Sequence, residues 1–416
     1  VGIESITSGV AALDSIRITT MIKLKAYKYR LKPRAEQITQ FDQHFGHVRF
    51  VKNWAIALKG RYYRRFGKGL SSRRLQDQLV KKKKSANYQW LSDINSQALL
   101  AALMDVESAF KRFFGGAGYP KFKRKYAAWQ SFQAPQHVEA TKNKIKLPKI
   151  GWVDCVMHRD LPEGKIKTCT IKRAPSGKYF ISVLLEQQVN KVIPSVIDEN
   201  QTIGIDVGIK MFAVCSDGSE IPNPRLLDRQ LVSLKQAQQV FSRMKKGSKN
   251  RSKQKMVVAK LHEKVANARH DFIHKSSYNV AVKNHATTIV IEDLQISNMI
   301  RNPKLARHIA NCGWGMWATA LAYKLSEQGK NLIRILPFAP SSKECRMCHN
   351  KHTELKLSDR VFVCPVCNHT EDRDLHASHN IKRFGLQKEF EAAGSVVTVK
   401  RSPVSKRVKA RDAAKG

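Results

Sequence analysis

Thr202-Ile203-Gly204-Ile205-Asp206-Val207-Gly208 is an apolar run that holds one carboxylate, Asp206. The segment Gln201 to Ser219 reads as two strands joined by a tight turn, with Asp206 on the first. Further on, Ile289-Val290-Ile291 ends on Glu292. Trp314, Trp317, Leu321 and Leu325 then recur at helical spacing up to Gly329, and Asn331 to Leu336 reads as another strand. Strand, helix and strand in this order argue for an α/β sheet, in which carboxylates at the ends of distant strands converge. A third acid, Asp374, opens a helix-like segment whose buried stripe is marked by Ala377, Ile381 and Phe384. Asp374 lies one turn before Ala377 on nearly that face, which turns it toward the sheet.

Three converging acids suit phosphodiester hydrolysis. The attacking water must be deprotonated and the departing oxygen stabilised, which two Mg²⁺ ions ~3.5 to 4 Å apart accomplish. Carboxylates are the ligands of such hard ions. Asp206 would bridge both, with Glu292 holding one and Asp374 the other. Asp293 beside Glu292 and Asp372 before Asp374 offer the same chemistry.

Between the second and third acids stand Cys345-x-x-Cys348, fifteen further residues and Cys364-x-x-Cys367, the spacing of a four-thiolate zinc ribbon. A closed thiolate shell leaves no position for substrate, so this metal is expected to be structural. His349 and Asn368 stand where such knuckles usually carry glycine, and both residue types tolerate left-handed backbone. The other cysteines, Cys155, Cys169, Cys215 and Cys312, lie in apolar settings and read as reduced, buried thiols.

Over 416 residues, 75 Lys and Arg stand against 33 Asp and Glu, a formal charge of +42 spread from end to end. A polyanion partner accounts for such an excess. No stretch approaches the ~18 to 20 consecutive apolar residues of a membrane-spanning helix, so a soluble, intracellular protein with no membrane association is expected. Residues 1–20 differ in character from the rest of the chain and are read as a leader or extension.

Met21 to Leu31 alternates like a half-exposed strand ahead of Pro33. Two helical patterns come after it, Ile38, Phe41, Phe45 and Val48, then Leu99, Leu103, Val106, Phe110 and Phe113, with the basic segment Arg61 to Lys84 between them. After Gly115-Gly116, Tyr119-Pro120-Lys121-Phe122-Lys123-Arg124-Lys125 interleaves aromatics with cations, suited to stacking on bases and neutralising phosphates. From there to about Glu186 short strands are expected, with a hairpin at Pro175-Ser176-Gly177-Lys178. They would form a small β-barrel completed by the strand at Met21. Long basic helices span roughly Leu226 to Asn284, broken by a loop at Lys245 to Arg251 that is expected near nucleic acid.

Six stretches resemble the TnpB family of insertion-sequence-encoded RNA-guided nucleases, relatives of type V CRISPR effectors. They are Tyr119 to Lys123, Leu147-Pro148-Lys149-Ile150-Gly151, Gly204 to Gly208, Ile291-Glu292-Asp293-Leu294, Ser341-Ser342-x-x-Cys345-x-x-Cys348 and Asp372-Arg373-Asp374. The motif register favours Glu292 and Asp374 over their acidic neighbours. His376 departs from the family, which usually places Asn there.

The resemblance implies a multidomain α/β protein. A wedge-type β-barrel would comprise 21–33 and 119–200, and a helical recognition domain 34–118. An RNase H-like RuvC nuclease domain would comprise 201–340 and 371–385, split by a zinc ribbon at 341–370, with a basic, disordered tail at 386–416. It further implies a guide RNA from the element's own end and a double-stranded DNA target beside a short adjacent motif. One RuvC centre of Asp206, Glu292 and Asp374 would cut both strands with Mg²⁺, leaving 5′-phosphate and 3′-hydroxyl ends. Lys121, Phe122, Lys123, Arg124, Lys125 and Arg373 are candidates to touch nucleic acid. A cleavage-inactive RNA-guided repressor, an accessory transposition protein and a non-enzymatic zinc-ribbon RNA binder are the competing expectations.

Overall fold

The computed structural model describes residues 20–126, 129–190, 192–224, 226–337, 339–356 and 358–392. The expected leader, apart from Thr20, and the tail beyond Ala392 lie outside them. The chain divides into two compact units, the first of residues up to 191 with Gln236–Glu263, the second of Val192–Lys235 with the remainder from Lys264.

In the first unit, β1 (Thr20–Lys32) turns Tyr27, Tyr29 and Leu31 inward and leaves Lys28, Arg30 and Lys32 exposed. The later strands are β2 (Gln130–Ala134), β3 (Glu139–Ala140), β4 (Lys144–Leu147), β5 (Gly151–Val156), β6 (Lys165–Arg173) and β7 (Tyr179–Asn190). They form one antiparallel sheet in the order β2-β6-β7-β1-β5-β4-β3. The first described strand therefore sits in the middle, paired with β7 from Thr20↔Asn190 to Leu31↔Tyr179. The expected barrel is a sheet with two ends, and no ladder joins β2 to β3 among the described residues. β3 is two residues long, too short to carry a closing ladder. Helices α1 (Ala35–Phe66), α2 (Ser72–Lys84) and α3 (Ser96–Phe114) share one apolar core with this sheet, α1 through Phe41, Phe45 and Val48, α3 through Leu99, Leu103 and Val106.

Two long helices come next, α4 (Leu226–Arg243) and α5 (Lys249–Tyr278). The loop expected at Lys245 to Arg251 is shorter, since α5 already begins at Lys249. Ser248 caps it by accepting from the Arg251 amide at 3.1 Å. The Arg251 guanidinium turns back to the Phe241 and Met244 carbonyls, satisfying the end of α4 rather than facing solvent.

The second unit holds β8 (Thr202–Asp206), β9 (Met211–Cys215), β10 (Glu220–Pro222), β11 (Thr288–Glu292) and β12 (Asn331–Ile335), in the order β10-β9-β8-β11-β12. β8, β11 and β12 run parallel, and β9 returns antiparallel to β8. Between β11 and β12 come α6 (Ile296–Met299), α7 (Ala306–Cys312) and α8 (Trp314–Glu327). The ribbon hairpin β13 (Val361–Val363) and β14 (Thr370–Asp372) leads into α9 (Arg373–Ala392).

The sheet is covered on both faces, as parallel strands require. Ile205, Ile289 and Ile291 face a core containing Trp317 and Leu321 of α8. Val290, Ile333 and Ile335 face Ile381 of α9. Leu386 extends the buried stripe of α9, so the helix continues to Ala392 where a disordered tail from 386 was expected.

Candidate active site

Two glycines decide how closely α9 lies on the sheet. A Cβ at Gly204 on β8 would overlap the Ser378 carbonyl oxygen and sit 2.5 Å from the Lys382 nitrogen. A Cβ at Gly385 on α9 would overlap Val290 on β11. Residues two apart on a strand share a face. Asp206, two beyond Gly204, and Glu292, two beyond Val290, therefore both point to the α9 side. They end neighbouring parallel strands whose register aligns Ile205 with Ile291. Ser378 packs at Gly204, so Asp374, one turn earlier on α9, lies at the same end of the sheet as Asp206.

The electrostatics reflect that convergence. Burial first, then the neighbouring Glu292 and Asp374 carboxylates, hold the Asp206 carboxyl well above its ordinary range. Burial also raises Glu292, against the Ser341 hydroxyl, which donates to Glu292 Oε1 at 2.6 Å and favours the ionised form. All three acids remain half-buried rather than sealed. A cavity of about 100 Å³ opens beside Glu292, walled by Val207, Leu294, Trp314, Trp317 and Arg334.

The two acidic neighbours are engaged elsewhere. Asp372 Oδ1 accepts from the Asp374 and Leu375 amides at 2.9 and 3.1 Å, capping α9. Asp293 Oδ1 pairs with Arg334 at 3.1 Å. Among the described residues, no lysine or arginine forms an ion pair with Asp206, Glu292 or Asp374. Three carboxylates drawn together in poorly hydrated surroundings without a protein counter-ion fit hard divalent cations. Arg373 lies near enough to favour ionisation of Asp206. Its Nη1 donates to the Lys356 and Asp359 carbonyls of the ribbon.

In the ribbon, Cys345 and Cys367 sulfurs are 3.6 Å apart and Cys348 and Cys364 sulfurs 3.5 Å, all four within 4.8 Å. Tetrahedral zinc with bonds of ~2.3 Å sets sulfurs about 3.8 Å apart, so the donors fit it. His349 and Asn368 have φ of 60° and 56°, occupying the left-handed positions expected of them. Each knuckle closes on itself, the His349 amide donating to Cys345 O and the Asn368 amide to Cys364 O. The remaining cysteines are buried free thiols. Burial pushes Cys155 and Cys215 up to about 11 and Cys169 to about 12, which leaves them protonated and inert.

Sequence reasoning missed how the ribbon is fastened to the acid centre. Asn380 Nδ2, fully buried, donates to the Ser341 and Glu344 carbonyls at 2.7 and 2.6 Å. This holds the segment that presents Ser341 to Glu292. An amide inside the Ala377–Ile381 stripe is a detectable signal, because a polar residue on a buried face needs partners.

Lys121, Phe122, Lys123, Arg124 and Lys125 belong to the first unit and are all exposed. Asn53 of α1 fixes that segment by bonding both the amide and the carbonyl of Lys123. Tyr119 instead packs edge-on against Phe110 and Phe113 of α3.

A Streptomyces pristinaespiralis protein provisionally named an RNA-guided DNA endonuclease is 33% identical over 87% of this chain and 89% of its own length. The similarly named InsQ of Escherichia coli K12 is 32% identical over 88% of this chain and 93% of its own. The chain belongs to the TnpB family. Within this TnpB-family chain, residues 181–303 match the OrfB_IS605 family, described as "Probable transposase", and 314–381 match the Cas12f1-like TNB domain. Residues 21–68 match a family described as a helix-turn-helix domain, although here they form β1 and the single long helix α1. The protein in the cryo-EM structure of a Cas12f1–sgRNA–target DNA complex shares the fold, with a TM-score of 0.53 at 14% identity over 87% of this chain and 99% of that one. Among the described residues no helix is long and apolar enough to cross a membrane.

Proposed function

We propose that this TnpB-family chain is an RNA-guided DNA endonuclease whose single RuvC-type centre, Asp206, Glu292 and Asp374, makes double-strand breaks beside a short adjacent motif. The observation that carries the reading is the convergence of three half-buried carboxylates, none in an ion pair with a lysine or arginine among the described residues, at the end of the parallel strands β8 and β11. The names of the curated relatives support RNA guidance and DNA as the substrate.

Asp206, Glu292 and Asp374 would together hold two Mg²⁺ ions, with Asp206 contributing to both. Bound there, magnesium supplies the Lewis acidity that ionises the attacking water and stabilises the departing 3′ oxygen. The chain's own residues hold the arrangement. Ser341 fixes the Glu292 carboxylate, Asp372 caps α9 so that Asp374 is free to face the sheet, and Gly204 lets the helix approach. The charge of +42 and the exposed Lys121 to Lys125 segment suit an RNA scaffold and heteroduplex held by their phosphates. Guide pairing, rather than side chains, would read most of the target.

The test is co-purification from cells expressing the chain with its native flanking DNA, sequencing of the bound RNA, and incubation with plasmids carrying the matching target beside randomised bases. Mg²⁺-dependent double-strand breaks that vanish in Asp206→Ala are the expected result. Guide-dependent binding without breaks, identical in both proteins, would replace the nuclease by a repressor.

A further inference from the structure

Beyond the acid centre and the four cysteines, one more cluster of metal-ligating side chains is drawn together where the ribbon meets α9. His369 and Glu371 are two residues apart at the ribbon's last strand, and His376 and His379 are one turn apart on α9. Glu371 Oε2 lies 3.3 Å from His369 Nε2 and 3.2 Å from His376 Nδ1, and Glu371 Oε1 lies 3.5 Å from His379 Nε2. Tetrahedral zinc with bonds to nitrogen and oxygen of ~2.0 to 2.1 Å sets its donors about 3.3 Å apart. These edges fit it.

The His376 ring supplies the stronger argument. It is fully buried, stacked on Phe362 at 3.9 Å and 9°, and faces an acceptor from each nitrogen. Nε2 lies 2.8 Å from the Glu344 carbonyl and Nδ1 faces the Glu371 carboxylate. A neutral imidazole carries one N–H and satisfies one of these. In the tautomer whose Nδ1–H donates to Glu371, Nε2 lies 3.2 Å from the Asn380 amide nitrogen; in the tautomer whose Nε2–H donates to the Glu344 carbonyl, the Nδ1 lone pair faces the Glu371 side and is free to ligate. A ligating histidine whose other N–H binds a backbone carbonyl is how protein metal sites are ordinarily built.

We propose that His369, Glu371 and His376 form a second zinc site, which staples the ribbon to the helix carrying Asp374. Imidazole and carboxylate donors suit zinc and disfavour magnesium. In the metal-free form Arg346 takes the cation's part, its Nε 2.9 Å from Glu371 Oε2 and 3.3 Å from His369 Nε2. Its side chain is 34% exposed, so it can swing to solvent as the ion enters. The proposal stands whether or not the chain cuts DNA.

The test is metal content of the full chain, made without a polyhistidine tag, after equilibration with excess zinc and gel filtration. Two zinc ions per chain are expected, falling to one in His376→Asn and in His369→Gln. Cobalt substitution would show the thiolate charge-transfer band unchanged in both variants, establishing that the four-cysteine site is still folded. Arg346→Ala should keep both ions and bind the second more tightly. A single zinc in the unmodified chain, or two retained in His376→Asn and His369→Gln, would overturn the proposal and leave Glu371 as the hub of an ion-pair network.

Discussion

The four-cysteine ribbon and the three-acid centre are adjacent clusters of metal-ligating side chains assembled in opposite ways. Cys345, Cys348, Cys364 and Cys367 arrive on two knuckles, each closed by its own backbone hydrogen bonds, and the cluster has a small core of its own with Leu355 and Phe362. Asp206, Glu292 and Asp374 come from two strands and a helix that meet only once β11 has paired with β8 and α9 has packed on both. A locally built site depends chiefly on its own ligands. A site built by the tertiary fold depends on residues that touch no metal.

Removing a ligand should therefore have the largest and most selective effect. Asp206→Asn, nearly isosteric, is expected to lower cleavage on the order of a thousandfold or more, because ion-mediated stabilisation of the transition state amounts to several kcal/mol. Guide and target binding should persist in mobility-shift assays. Cutting within tenfold of the unmodified rate would move the centre elsewhere.

Gly204→Ala touches none of the acids yet should come close to the same loss. Its new Cβ must push α9 off β8, at a cost of about 1–3 kcal/mol in stability and with Asp374 displaced. Thermal unfolding and cleavage would both report it, while thiolate-bound zinc stays intact. An alanine variant with full activity would show that α9 can shift without disturbing the acids.

Cys364→Ser tests the comparison from the other side. Loss of the thiolate metal should loosen β13 and β14 and, through the segment Asn380 holds, the Ser341 grip on Glu292. Cleavage is expected to fall partially, about tenfold. Hydrogen exchange should rise in the ribbon and remain low in β8 and β11. Protection lost equally in the sheet would show that the ribbon is not a separately built element.

Ser341→Ala is milder still. Loss of one hydrogen bond to a carboxylate is worth about 1.5–3 kcal/mol, so a rate loss of roughly tenfold or somewhat more is expected. That bond favours ionised Glu292, and its removal raises the carboxyl's pKa further. The acidic limb of the rate–pH profile should move upward. An unmoved limb would mean that Ser341 does not tune Glu292.

The smallest effect concerns stability. The folded protein holds the Asp206 and Glu292 protons more tightly than the unfolded chain does. Folding stability is then greatest at or below the ordinary carboxylate range and falls as pH rises from there through the raised values. Melting temperature without divalent ions should decline over that window, and Mg²⁺ should recover it at neutral pH. The Mg²⁺-dependent shift should shrink in Asp206→Asn. A shift of equal size there would place the ion elsewhere.

Much of the fold and of the acid centre was legible in the sequence, for identifiable reasons. The cysteine spacing and the tolerance of His349 and Asn368 for left-handed backbone are local properties, visible in one short stretch. The apolar runs around Asp206 and up to Glu292 announced strands bearing acids, and the Ala377–Ile381 stripe turned Asp374 inward. The Asp372 cap rests on amides two and three residues on, whereas the engagement of Asp293 with Arg334 was not legible, because its partner is brought near by folding. The extent of α9 beyond Gly385 was misjudged because a polar composition hid the buried Leu386.

By itself the sequence determined which residues could serve as ligands, the strand and helix periods that carry them, and the charge that calls for a polyanion. These properties arise from covalent geometry and side-chain chemistry, which act within a few residues. Only the tertiary structure decided that β1, the first described strand, lies at the middle of its sheet, that two glycines bring α9 against β8 and β11, and that Ser341 and Asn380 tie the ribbon to Glu292. Those outcomes depend on close packing between segments far apart in the chain, where a single added methyl group is enough to separate them.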